Sequence, residues 1–310
     1  MFEKIYGKYR GRDAIIVEGL ENYSLRDTLE CGQAFRYEQL VCEGEYTEYL
    51  TIIGDRLITV GQENSSSLVF FDIDADTLDS VVAPYFALSE DYERIRAEIT
   101  ESTDSEWLRS AAECAKGIRI LKQSPEETLI SFIISQNNNI PRIRKIIRKI
   151  SVEYGKNLAK PRGVCPKTGE PINDDSCHEC GICYTFPAAS DILERPERLL
   201  PAKVGFRYGY ILDAAEKIAS GEIDLSEIER RGDYEFTVGE LKKIKGVGDK
   251  VASCVALFAF NNLDAFPIDV WMRRAIDTYF EGSLDPKSLG KYAGIAQQYI
   301  FHYIRNIENS

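Results

Sequence analysis

The sequence lacks any apolar run long enough to cross a bilayer, which takes about 20 residues. Its opening, Met1-Phe-Glu-Lys-Ile-Tyr-Gly-Lys-Tyr-Arg10, lacks the apolar core of a secretory signal. These two absences argue against a membrane or exported protein and set the expectation of a cytoplasmic one. Excess positive charge is missing as well, because 38 Lys and Arg face 50 Asp and Glu for a net charge of -12. A generally basic nucleic-acid coat is therefore excluded, and any such contact must come from local positive surface. Internal repeats and low-complexity linkers are also absent. What remains is 310 residues, enough for a substantial core and two or three subdomains.

Two periodicities divide the chain. From about Asp13 to Asp74 short alternating segments such as Tyr46-Thr-Glu-Tyr-Leu-Thr-Ile-Ile-Gly, separated by turn residues, predict an antiparallel sheet. From about Asp91 the pattern becomes helical. The blocks are Ser105 to Ala115, Glu126 to Gln136, Pro141 to Tyr154, Gly209 to Ala219, Val238 to Ile244, Lys250 to Phe260, Val270 to Tyr279 and Tyr292 to Ile307. The expected class is α+β, with a sheet domain over 1–104 and a helical region over 105–310.

Two stretches stand out from that frame. Between Pro141 and Gly163 eight Lys or Arg face the single acid Glu153, while Ile143, Ile146, Ile147 and Ile150 form an apolar stripe. A solvated helix face and a surface for DNA both fit this stretch. An insert at 165–183 then carries Cys165, Cys177, Cys180 and Cys183, half of the eight cysteines. Four thiols in a loop with no core of its own fit a tetrahedral structural zinc site, with His178 as a substitute ligand. A disulfide in a reducing cytosol and an iron–sulfur cluster are the competing uses.

The richest chemistry lies near the C-terminus. Leu241-Lys-Lys-Ile-Lys-Gly-Val-Gly-Asp-Lys250 is followed by an apolar stretch and then by Phe266-Pro-Ile-Asp269. Gly246 and Gly248 allow a tight turn whose exposed N–H groups can grip a phosphate at a helix start. Lys250 then falls in the first helical turn, where the positive end of the macrodipole opposes an ammonium ion and suits a nucleophilic amine. Asp269 reads as an N-cap. An ordinary loop, a solvated lysine and a plain cap would explain each feature singly. Lys250, Cys254 and Phe258 recur at i, i+4 and i+8 on one helical face, and Gln297 and Phe301 repeat the spacing. A flat base could stack between Cys254 and Phe301 while Gln297 bonds its edge; core packing is the plainer use of the rings and the thiol.

The hairpin with its lysine and aspartate resembles the helix-hairpin-helix DNA glycosylases. The resemblance narrows to the 8-oxoguanine DNA glycosylases through Cys31-Gly-Gln-Ala-Phe-Arg36, Ile118-Arg-Ile-Leu-Lys-Gln123, Phe132-Ile-Ile-Ser-Gln-Asn-Asn-Asn-Ile-Pro-Arg142, Gly205-Phe-Arg-Tyr208 and Tyr292-Ala-Gly-Ile-Ala-Gln297. It covers nearly the whole chain, in the family's order.

The resemblance implies that Lys250 is the nucleophile and Asp269 its electrostatic partner. It implies that the Gly32 carbonyl binds the lesion, that Cys254 and Phe301 sandwich the base, and that Gln297 reads its edge. Asn137, Arg142 and Arg207 would fill the gap in the duplex and meet the orphaned cytosine. It further implies excision and strand cleavage by a Schiff base, no cofactor for catalysis, duplex DNA with oxidised guanine opposite cytosine as partner, and a monomer in the cytoplasm or on a nucleoid. Two departures stand: Trp271 replaces a histidine found near a phosphate in the vertebrate form, and the cysteine insert is foreign to the family pattern. A glycosylase for oxidised pyrimidines of the endonuclease III kind shares the lysine and aspartate, although clustered cysteines after Asp269 are missing. A non-catalytic DNA-binding protein with a zinc module is the third reading.

Overall fold

The computed structural model describes residues 2–159, 165–167, 169 and 181–309. The period-two segments form one antiparallel sheet of six strands in the order β1-β2-β6-β5-β4-β3. They are β1 Glu3–Tyr9, β2 Arg12–Glu18, β3 Tyr37–Glu43, β4 Tyr46–Ile53, β5 Arg56–Gln62 and β6 Ser67–Phe71. Register aligns Ile15 with Phe70, Phe70 with Val60 and Val60 with Tyr49, so these four side chains form a row on one face. Helix α1 (Leu25–Glu30) and a helical stretch over 75–85 bury that row through Leu25, Leu29, Leu78 and Val82.

The sheet begins earlier than the alternation near Asp13 indicates. Strand β1 is an edge, mostly exposed on both faces, so its sequence carries no apolar alternation to read. Strand β4 is the opposite case, buried on both faces from Tyr46 to Ile52. Its second face is covered where Leu50, Ile52 and Leu57 pack against Ala159, Ile182 and Cys183, the two stems of the cysteine insert. The stems are joined by Leu158 N–H donating to Cys183 O at 2.7 Å and by Thr185 N–H donating to Lys156 O at 3.0 Å.

The helices that follow are α2 Tyr92–Glu101, α3 Glu106–Cys114, α4 Pro125–Ser135, α5 Ile140–Tyr154, α6 Ala189–Glu194, α7 Tyr208–Ala219, α8 Leu225–Arg231, α9 Tyr234–Leu241, α10 Asp249–Phe260, α11 Val270–Tyr279 and α12 Ala293–Asn309. Side-chain caps fix several starts: Ser105, Asn139, Asp233 and Asp269 accept from Leu108, Arg142, Phe236 and Met272 N–H. The Asp233 cap explains why the block expected at Val238 to Ile244 instead begins at Tyr234. Helices α6 and α8, of six and seven residues, are too short to show a period in the sequence. In α10 every residue from Val251 to Phe260 is buried, which makes it the central helix of the body, packed on α4. Cys31 and Phe35 from the sheet segment, and Tyr92, Ile95 and Ile99 of α2, share that helical core.

Candidate active site

The start of α10 combines a tight turn with open backbone. Gly246 has φ +81°, and a Cβ there would overlap the Tyr210 ring, so only glycine fits. Gly248 is different: its φ is -100° and a Cβ would meet nothing within 4 Å. It is the N-cap of α10 and supplies no side-chain cap, so the first N–H groups of a twelve-residue helix receive no acceptor from it.

Within the first turn, Lys250 Nζ donates to Ser135 Oγ at 3.3 Å and lies 5.3 Å from the centroid of the Phe132 ring. Ser135 ends α4 and donates in turn to Phe132 O at 2.7 Å. Asp269 caps α11, accepting from Met272 N–H at 2.8 Å. Burial pushes the Cys254 thiol up to about 11, against the pull of the Lys250 charge and with a smaller push from Asp269. Both charges therefore act at Cys254, which is a neutral thiol at physiological pH. Phe258, expected beside the substrate, lies in the core 5.4 Å from Phe132 with the rings nearly parallel at 15°. Phe35 meets the same Phe132 ring edge-on at 5.7 Å, so an aromatic row runs from the Gly32 turn to the lysine.

Gly32 adopts φ +90°, and a Cβ on it would lie 3.5 Å from Ile140 Cδ1, 3.7 Å from Phe301 Cε1 and 3.9 Å from Arg305 Nη1. The structure thus brings Gly32, Phe301 and the start of α5 together. On α12, Gln297 is buried and its Oε1 accepts from Gln298 Nε2 at 2.9 Å. The Arg305 guanidinium stands 5.4 Å from the Phe301 ring centroid.

Before α5, Asn137 is exposed with φ +48°. Arg207 is buried and holds this loop, with Nε donating to Gln136 O at 3.1 Å, Nη2 to Asn137 O at 3.2 Å and Nη1 to Val204 O at 3.2 Å. Burial, with repulsion from nearby Arg142, lowers the Arg207 pKa. Arg142 itself is exposed at the surface. The basic stretch after it is only partly free. Arg148 donates to Glu38 Oε2 at 2.5 Å, Arg144 lies 3.6 Å from the same oxygen, and both donate to Tyr37 O. Of the four expected zinc ligands, Cys165 and Cys183 are buried, whereas Cys177 and Cys180, like His178, lie outside the described residues. Among the described residues no group of three or more His, Cys, Asp or Glu is arranged to hold a metal ion.

Three residues of the site were not anticipated. Ser135 and Phe132, the immediate neighbours of Lys250, sit in the stretch Leu129-Ile-Ser-Phe-Ile-Ile-Ser135, where nothing marks one hydroxyl over the other. Phe206 is 58% exposed, stacked 4.4 Å from the Arg207 guanidinium and edge-on to Tyr210. Its signal in the sequence was its place in Gly205-Phe-Arg-Tyr208, one of the segments that carry the resemblance.

A sheet joined to a helical body whose central helix opens on a hairpin-mounted lysine has the fold of a DNA glycosylase. The 3-methyladenine DNA glycosylase of Archaeoglobus fulgidus shares that fold with a TM-score of 0.63 at 18% identity, over 99% of this chain and 100% of its own. A tighter likeness is to the 8-oxoguanine glycosylase/lyase of Clostridium acetobutylicum, seen in complex with double-stranded DNA containing cytosine opposite 8-oxoguanine. It is 31% identical with a TM-score of 0.81, over 99% of this chain and 98% of that one. Residues 15–129 match the family described as 8-oxoguanine DNA glycosylase, N-terminal domain. The N-glycosylase/DNA lyase of Saccharomyces cerevisiae is 27% identical over 81% of this chain and 66% of its own length. The chain belongs to the 8-oxoguanine DNA glycosylase family.

Proposed function

We propose that this protein excises 8-oxoguanine paired with cytosine in duplex DNA and then cleaves the strand at the resulting site. The observation that carries this reading is the seat of Lys250 in the first turn of a helix with no side-chain cap, 3.3 Å from Ser135 Oγ and acting with Asp269 on the Cys254 thiol.

Bending the duplex and extruding the nucleotide costs a few kcal/mol, offset by contacts in the pocket. The N–H groups of Gly246 and Gly248 would grip a phosphate, while Asn137 and Arg142 fill the gap and meet the cytosine, which Arg207 reaches by exchanging the loop carbonyls it holds. Arg142 and Arg207 repel one another, so an acceptor between them would be welcome. The lesion would lie between Cys254 and Phe301, with Phe258 stiffening the floor through Phe132. Gln297 would exchange its Gln298 partner for the Watson–Crick edge of the base. Oxidation at C8 turns N7 from an acceptor into an N–H donor, so the Gly32 carbonyl binds the lesion and repels guanine. The Lys250 amine attacks C1′ as the C1′–N9 bond breaks and the electron pair leaves with the base. Asp269 stabilises the positive charge developing on the sugar. The C1′–O4′ bond then breaks, its electron pair leaving to O4′, which takes up a proton as the sugar ring opens, and the resulting Schiff base loses a proton at C2′ and expels the 3′ phosphate by β-elimination. The lysine nitrogen is the nucleophile as an amine and the electron sink as the protonated Schiff base, so the sequence of steps draws on no cofactor.

Supporting readings accompany this one. A structural zinc on Cys165, Cys177, Cys180 and Cys183 would brace the insert stems against β4 and supply no chemistry; the burial of Cys165 and Cys183 fits such a role. The division into 1–104 and 105–310, a monomeric state and a cytoplasmic or nucleoid setting belong to the same proposal. For the compartment, the support is that no helix among the described residues is long and apolar enough to cross a membrane. The N-terminal sheet and its family match weigh against an oxidised-pyrimidine glycosylase. Lys250→Gln is the direct test: base release should fall by a factor on the order of 10³ or more while binding to 8-oxoguanine duplex persists. Undiminished release by this variant would refute the mechanism.

A further inference from the structure

Two segments that carry the family resemblance have no part in the chemistry above, the residues after Gly32 and the run 118–123. They meet each other. The Gln33 side chain is 0% exposed and bonded at both ends: Oε1 accepts from Leu121 N–H at 2.9 Å, and Nε2 donates to Thr28 O at 2.8 Å and to Arg119 O at 2.7 Å. Gln123 closes the arrangement. Its Nε2 donates to Gln33 O at 2.9 Å, and its own N–H donates to Phe258 O at 2.9 Å, two helical turns beyond Lys250 on α10. At the other end Ser24 N–H donates to Gly117 O at 2.8 Å, and a Cβ on Gly117 would come within 2.6 Å of Ser24 Cβ. Residues 118–123, which have no regular secondary structure, are therefore a strap clamped to the Gly32 turn on one side and to the lysine helix on the other.

We infer that Gln33 and Gln123 are positioning residues that fix the Gly32 carbonyl relative to α10, so that lesion reading and nucleophilic attack share one frame. Gly32 and Gln33 share a peptide unit. A glycine at φ +90° has wide freedom to rotate that unit, and anchoring Gln33 at both its side chain and its carbonyl removes it. Only a carbonyl held in this way can tell an N7–H donor from an N7 lone pair, because a mobile dipole would turn away from the clash. The inference rests on the reading of Gly32 given under the proposed function.

The test is Gln123→Met, which keeps length and volume, removes the donor to Gln33 O and leaves the main-chain bond to Phe258. Single-turnover release of 8-oxoguanine should fall on the order of tenfold, as for one lost buried hydrogen bond at its upper range. The affinity ratio between 8-oxoguanine and guanine duplexes should shrink with it. Borohydride trapping on a preformed abasic site should stay at the wild-type level, since no base is there to be read, and the melting temperature should fall by only a few degrees, as for one lost hydrogen bond. Equal losses on the lesion and on the abasic site would mark a general structural defect and overturn the inference, as would unchanged release and discrimination. A wild-type protein that releases no 8-oxoguanine at all would instead overturn the functional reading beneath it.

Discussion

The hairpin before α10 and the basic helix α5 make an instructive pair. By charge the basic helix is the obvious surface for DNA, yet Arg144 and Arg148 turn inward to Glu38 and the Tyr37 carbonyl. The hairpin has fewer unpaired cations, since Lys242 bonds Asp249 at 2.5 Å and Lys243 bonds Glu240 at 2.6 Å. What it offers instead is backbone N–H at an uncapped helix start. A count of charges thus says little about a binding face; what matters is which donors have no internal acceptor.

Substitution in the hairpin should give the largest effects and separate its two glycines. Gly246→Ala would force a side chain into the Tyr210 ring at φ +81°, so a loss of about 2 kcal/mol or more and a clear drop in melting temperature are expected. Gly248→Ala should leave melting almost unchanged, because the space is open and the backbone ordinary, and should weaken duplex binding where the phosphate approaches. Equal melting temperatures for the two variants would contradict the geometry.

On α5 the same logic predicts a crossed pair. Arg142→Ala should weaken binding to lesion duplex roughly three- to tenfold with no change in melting. Arg148→Ala should lower melting by a few degrees through the half-buried Glu38 pair and leave affinity nearly intact. Titration of both variants against the same duplex decides between inward and outward arginines.

The smallest effect concerns acid. Burial alone would push the Glu38 carboxyl up, but hydrogen bonds from Lys167 and Arg148 outweigh this and hold it below the usual range. A depressed folded-state pKa means that Glu38 stabilises fully above the unfolded value of about 4.3, and that this contribution is lost as pH falls through the lower folded value. Glu38→Gln should therefore melt lower than wild type near neutrality, and the gap should close in acid. A gap that stays constant with pH would rule the ion pairs out as its cause.

The order of elements and the apolar α10 were legible because long periods and a continuous apolar run leave few alternatives. Lys250, Asp269 and the two glycines were legible for a related reason, since each is confined to a short local motif. Strand β1 was hidden by exposure on both faces, and α6 and α8 by brevity. The inward turn of Arg144 and Arg148 depends on Glu38, more than a hundred residues earlier, and no local pattern carries such a pairing. Ser135 and Phe132 escaped notice for the same reason, because only the packing of α4 on α10 makes them neighbours of the lysine.

The account is tested most directly by sodium borohydride reduction of the wild-type protein mixed with duplex containing 8-oxoguanine opposite cytosine. A covalent protein–DNA adduct that forms on this duplex, and neither on undamaged guanine nor with Lys250→Gln, is the predicted result. No adduct on 8-oxoguanine, or one that forms on thymine glycol alone, would contradict it.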